Sequence, residues 1–145
     1  MLRFTRFPAS PPTDFGERWL ERYDAGRAAG TMEAFAILDA DDRFAGLAVA
    51  PRIDETARTA ELGYVVLAAA RGRGIATEAL RILSAWAFAE RELLRLELLI
   101  TSSNEPSKRV AERAGYLREG VLRSLWVKDG VREDTELWSR LPTDP

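Results

Sequence analysis

The stretch LAAARGRGIATEAL, residues 67–80, places Arg71, Gly72, Arg73 and Gly74 where an apolar run ends and a helical pattern begins. A helix opens with four backbone N–H groups that have no acceptor inside it. A Ser, Thr, Asp or Asn side chain ordinarily takes one of them, yet from Ala68 to Gly74 there is none. Free donors, the positive end of the helix dipole and two guanidinium groups together suit an anion such as a phosphate or pyrophosphate, and glycine lets it approach the backbone. The same residues equally suit a solvated left-handed turn between strand and helix, and the glycines alone do not decide between the two.

Other chemistry is narrowed by what the chain lacks. It contains neither histidine nor cysteine, which removes a Ser-His-Asp triad, a thiolate nucleophile, disulfides and the usual transition-metal ligands. No metal site is expected. Proton transfer falls to carboxylates, tyrosines, hydroxyls, lysines or water. A Walker loop is excluded because no Gly-Lys-Ser/Thr follows the glycines. A dinucleotide fingerprint is only partly met: Thr77 stands at the third glycine, and Glu97 lies inside its strand rather than at the end where a ribose would meet it. The net charge of −2 gives no general basic field for nucleic acid or an anionic membrane. No window approaches the about 20 apolar residues of a membrane span. The opening MLRFTRFPASPP lacks a leader's apolar stretch, and the absent cysteines fit a cytoplasmic protein.

The elements that must hold these residues are legible in the hydropathy pattern. At 145 residues a single domain, 1–145, is expected. Asp14 and Glu17 have capping-box spacing before a helix that Gly30 closes, with Phe15, Trp19, Leu20 and Tyr23 near one face. Two strands follow around a turn at 39–43, then TAELGYVVL as a third. After the glycine stretch, Ala79, Leu80, Leu83, Trp86 and Ala87 recur at helical spacing over 75–90. LLRLELLI, 93–100, has the apolar run of a strand buried on both faces. A short helix ends at Gly115, and two strands flank a Lys128-Asp129-Gly130 turn. Strand, helix and strand over 59–100 imply a parallel pair with a right-handed crossover, and the hairpins imply antiparallel neighbours. The expected fold is therefore α/β (α+β): a mixed, mainly antiparallel sheet with a central parallel strand pair and flanking helices.

RGRGIA, 71–76, resembles the Q/R-x-x-G-x-G/A loop of the GNAT superfamily of acetyl-CoA-dependent N-acetyltransferases. The resemblance extends along 31–141. AELGYVVLAAARGRGIATEAL looks like that family's fourth strand, loop and third helix, and LRLELLITSSNEPSKRVAERAGYLREG like its fifth strand and fourth helix. GVLRSLWVKDGVREDTELWSRL resembles the closing strands of the branch that includes the ribosomal-protein N-terminal acetyltransferases.

What the resemblance implies is specific. Arg71, Gly72, Arg73, Gly74, Ile75 and Ala76 would receive the pyrophosphate of acetyl-CoA. Val65, Val66 and Leu67 would pair with the pantetheine arm where the parallel strands splay apart. Asn104 would bond pantetheine or acceptor, or serve as helix N-cap, and Ser107 would lie near the sulfur as proton donor. Glu61 is the candidate base for a primary amine acceptor, either a protein N-terminus or a small molecule, with the solvent face of a strand as the alternative. The family's tyrosine before the Gly-aromatic pair is absent, its position being Ala111, and Tyr116 is expected to pack in the core. Glu97 is expected to be structural. Arg123, Asp129 and Asp134 either shape the acceptor site or end strands. Only Leu2–Phe7 and one helix precede 32–39, so either Leu2–Phe7 is the first strand and a helix is lost, or the start of the domain is absent. An edge strand left uncovered there predicts a homodimer. A CoA-binding module without catalysis is the alternative function.

Overall fold

A computed structural model describes residues 10–145. The expected first strand, Leu2–Phe7, lies outside the described residues. Helix α1 (Phe15–Ala29) is followed by strands β1 (Glu33–Leu38), β2 (Phe44–Asp54) and β3 (Thr59–Val66). A single 3-10 turn at Ala68–Ala70 leads to α2 (Ile75–Ala89), then β4 (Arg95–Thr101), α3 (Glu105–Arg113), β5 (Leu117–Lys128) and β6 (Val131–Arg140). The six strands form one sheet in the order β1-β2-β3-β4-β6-β5, in which only β3 and β4 run parallel. The mixed sheet with a central parallel pair is the expected fold.

Three local expectations change. Asp14 does not build a capping box: its φ of −94° and ψ of 7° depart from the extended N-cap geometry, and its carboxylate instead accepts from Arg18 at 2.8 Å. Leu20 is exposed, because the apolar face of α1 runs through Phe15, Trp19 and Tyr23, four residues apart. β4 is not buried on both faces; Leu96, Leu98 and Ile100 enter the core, while Glu97 and Leu99 are half-buried on the other side.

The core joins one face of the sheet to α2. Leu80, Leu83 and Ala87 pack with Leu62, Leu96 and Leu98, and area removed from water at about 25 cal/mol per Å2 makes this the main stabilising contact. Ser84 within α2 satisfies its hydroxyl on the Leu80 carbonyl at 2.7 Å and on the Tyr116 phenol at 2.8 Å. Tyr116 is therefore a core residue, as expected, and burial pushes its phenol up to about 12. The β5–β6 turn places Asp129 and Gly130 at φ 52° and 77°, the paired positive values of a type I′ hairpin.

The register of the parallel pair decides where a site can form. β3 and β4 pair only at Thr59–Arg95, Ala60–Leu96 and Glu61–Glu97. Beyond that, β3 stays with β2 as far as Val66, while β4 stays with β6 as far as Thr101. Each strand is held by its outer neighbour, so the two separate and leave facing ladder edges without a strand between them. Unpaired edges of this kind demand other partners.

Candidate active site

The separated strands form one wall of an open groove of about 1250 Å3. Its lining includes Glu61, Tyr64 and Val65 from β3, Leu99 and Thr101 from β4, Asn104 and Ser107 at the start of α3, and Trp126 and Lys128 from β5. Helix α1 also contributes Phe15, Arg18, Trp19 and Arg22 to the lining. Four of the expected site residues, Glu61, Val65, Asn104 and Ser107, thus meet in one cleft. Val66 is buried, and residues 66–76 are outside the walls of this groove, following it along the chain.

In the glycine loop, Gly72 and Gly74 sit at φ 75° and 74°. Gly74 is the N-cap of α2 and, having no side chain, offers no cap. The first backbone donor of this helix with an acceptor is Glu78, bonded to Gly74 O at 3.1 Å; among the described residues none accepts from the N–H groups of residues 72–77. A Cβ built on Gly72 or Gly74 meets nothing within 4 Å, so backbone conformation rather than crowding calls for glycine here. The loop has the open donors and the free space that a diphosphate requires.

Arg71 has a definite partner: its Nε donates to the Val66 carbonyl at 3.2 Å, across the strand end. Leu67 is unavailable for backbone pairing, since its N–H reaches Ala45 O at 2.8 Å and its carbonyl accepts from Ala70 N at 2.9 Å. The Val65 carbonyl points toward β2, where a Cβ on Gly46 would collide with it. By strand alternation the backbone groups that face the gap belong to Tyr64 and Val66. Of the three expected pairing residues only Val66 faces the gap, and its carbonyl already accepts from Arg71.

Asn104 does cap α3, accepting from Ser107 N at 3.3 Å through Oδ1. On its far side Ser107 Oγ receives a hydrogen bond from the Tyr64 hydroxyl at 3.1 Å. Burial raises the Tyr64 phenol above its ordinary value, against a smaller opposing effect from Ser107. Tyr64 was not a sequence candidate. It sits in a strand pattern where an aromatic is commonplace, and only the bend of the strands brings it to a residue 43 positions away.

Glu61 is buried at 7% exposure rather than on a solvent face. Arg52 Nη2 lies 3.7 Å from its carboxylate and 3.9 Å from that of Glu97. Glu97 accepts from Arg95 at 2.8 Å, consistent with a structural role. Asp134 accepts from Ser124 N at 2.8 Å and thereby holds the bulge in β5, where Ser124 has φ 55°. Asp129 lines the groove at the hairpin turn, and Arg123 is exposed outside it. Ala111 is fully buried, so α3 presents no tyrosine at that position. Among the described residues no group of three His, Cys, Asp or Glu is arranged to hold a metal, and no helix is long and apolar enough to cross a membrane.

The model of the acetyltransferase (GNAT) domain matches residues 1–117. The chain belongs to the GNAT acetyltransferase family. Within it, YdaF of Bacillus subtilis, provisionally named a ribosomal N-acetyltransferase, is 36% identical over 101 residues, covering 70% of this chain and 55% of YdaF. The chain thus spans little more than half the length of that curated relative. A crystal structure described as a probable acetyltransferase superposes with a TM-score of 0.88 at 30% identity, covering 97% of this chain and 79% of the other. RimJ of Mycobacterium smegmatis, solved with a CoA disulfide, superposes at 0.83 with 28% identity, covering 88% and 61%. The GNAT family supplies the context for the groove: its wall is formed by the splayed parallel strands, and an uncapped glycine loop follows one of them along the chain.

Proposed function

We propose that this protein transfers the acetyl group of acetyl-CoA to a primary amine by direct attack within a ternary complex. The observation that carries the reading is the run of N–H groups at residues 72–77 that find no acceptor among the described residues, set one turn beyond a strand whose inner edge is open. The first suits the pyrophosphate. The second suits the pantetheine amides, which need hydrogen-bond partners when they leave water for the cleft. Tyr64 and Val66 would supply those partners, and Ser107 would face the sulfur.

The attacking amine must lose a proton, and Glu61 is the acceptor this reading assigns, with Arg52 holding its carboxylate in the groove. As the nitrogen bonds to the carbonyl carbon and the carbon–sulfur bond breaks, the electron pair moves to sulfur. Ser107 then gives the proton that the thiolate needs. No covalent acetyl-enzyme is required. The groove is open enough for a protein N-terminus or a small-molecule amine, and the ribosomal name of the relative favours the former as the first acceptor to try. A homodimer belongs to the same proposal; the sequence points to the edge at the N-terminal side, and the opposite edge strand, β5, offers exposed Leu117 and Val121 as a second apolar surface.

The alternative, a CoA-binding module without catalysis, has one observation in its favour: α3 carries buried Ala111 and no tyrosine there. A panel of amines and N-terminal peptides, followed by thiol release, separates the two. Turnover with at least one acceptor is expected, together with a loss of about 100-fold or more in kcat for Glu61→Gln while acetyl-CoA still stabilises the fold. Turnover unaffected by that substitution removes Glu61 as the base. Binding without turnover on any acceptor leaves the module.

A further inference from the structure

We propose that Tyr64 is a positioning residue for the proton-transfer step, acting through Ser107 to deliver a proton to the departing thiolate. The inference rests on the acetyl-transfer reading above and adds a residue to it. Ser107 is gripped from two sides. Asn104 Oδ1 takes its backbone N–H at 3.3 Å, which fixes the first turn of α3. Tyr64 donates its phenolic hydrogen to Ser107 Oγ at 3.1 Å across the gap where β3 and β4 have parted.

A serine hydroxyl that accepts from the phenol still has its own hydrogen to give, and that hydrogen must point elsewhere. Tyr64 packs against the core cluster on one side and lines the groove on the other. The phenol is thus held by packing rather than left to rotate in solvent. Its burial raises its proton affinity, so it remains a donor throughout the neutral range. The charged groups around the groove are Arg52 of β2, Glu61 of β3, Lys128 of β5, Asp129 at the hairpin turn, and Arg18 and Arg22 of α1.

In the step itself, the amine proton passes to Glu61 and the carbon–sulfur bond breaks with its electrons on sulfur. The Ser107 Oγ–H proton moves to sulfur as the Tyr64 Oη–H proton moves to Ser107 Oγ. The phenolate then recovers a proton from water in the open groove. The effective acid is the phenol, a far better proton source than an aliphatic alcohol.

The test uses the full chain and the variants Tyr64→Phe, Ser107→Ala and both together. Phenylalanine keeps the packing, so its melting temperature and acetyl-CoA KM should stay close to the parent values. Its kcat should fall about tenfold, and Ser107→Ala should fall at least as far. The double variant should be no slower than Ser107→Ala alone, because the phenol has nothing to act through once the serine is gone. A second readout needs no turnover: ultraviolet titration of the free CoA thiol bound to the protein, where Tyr64→Phe should move the midpoint to higher pH. Parental kcat in Tyr64→Phe overturns the proposal. So does an undiminished loss on adding Tyr64→Phe to Ser107→Ala. If no amine is acetylated, a shifted thiol titration still supports the pair while the acetyl-transfer reading fails. An unshifted one, or no CoA binding at all, ends both.

Discussion

Replacing Gly74 by aspartate puts a carboxylate at the N-cap of α2, where a soluble helix would ordinarily welcome it. In the free protein two effects nearly offset each other. The φ of 74° costs an L-residue about 1 kcal/mol, with aspartate among the most tolerant. A negative charge at the helix N-terminus returns about 0.3–1 kcal/mol. A Cβ there meets nothing within 4 Å, so no steric cost is added. The free variant should therefore melt within about 3 °C of the parent.

With acetyl-CoA the sum changes sign. A carboxylate about 5 Å from each of two pyrophosphate charges, at an effective dielectric of about 40, repels each by about 1.7 kcal/mol. Screening by salt reduces the total to about 2.3 kcal/mol, or about 50-fold in affinity. At 100 times the parental Kd, acetyl-CoA should stabilise the parent by about 2.7 kcal/mol and the variant by about 0.65. In a thermal melt these correspond to about 8 °C and about 2 °C. Gly74→Ala is the control: it carries a somewhat larger backbone cost without the charge and should retain most of the ligand shift. If Gly74→Asp keeps the full ligand shift, the pyrophosphate does not sit on this loop. If the free variant loses several kcal/mol, the loop is held by contacts other than those described, and the reasoning fails at its first step.

Two further outcomes follow from the geometry. Arg95 grips both oxygens of Glu119 at 2.7 Å, Ser139 adds a third bond at 2.7 Å, and together they lower the Glu119 carboxyl to about 2. Because the folded value lies below the unfolded one, the stabilisation is present above about pH 5 and is lost as pH falls toward 2; with Glu119 40% exposed, screening leaves about 1 kcal/mol. Glu119→Gln should thus lose that amount at pH 7 and much less near pH 2, as read from urea titrations at the two pH values. Asn104→Ala removes the cap of α3 and should cost about 1 kcal/mol in melting experiments; a several-fold rise in acetyl-CoA KM beyond that cost shows a ligand contact as well, whereas an unchanged KM leaves only the cap.

Much of the fold could be read from patterns with short reach. The periodicity of Leu80, Leu83 and Ala87, the Asp129-Gly130 turn and the Asn104 cap are local features, and each appears where its neighbours in the chain demand it. Asp14 and Leu20 show the limit of such rules. Spacing suggests a capping box and a wider apolar face, but the Asp14 backbone departs from cap geometry and its carboxylate accepts from Arg18 instead. The uncapped glycine loop is equally legible, because a missing cap and two glycines are properties of consecutive residues.

What the sequence could not hold was the meeting of distant residues. Glu61 read as a strand carboxylate with two possible faces, and the tertiary structure buried it beside Arg52. Leu67 read as a pairing residue, and the path of the chain into the Ala68–Ala70 turn used both its backbone groups. Tyr64 gave no signal at all. It acquired a partner only because three residues of β3 pair with β4 and the rest do not, so that the strands part and α3 enters beside them. Identity and local spacing therefore determined the elements and the uncapped glycine loop, since backbone donors and periodicity are set within a few residues. The divergence of two strands, fixed by what each pairs with on its outer side, decided the groove and which side chains face one another across it.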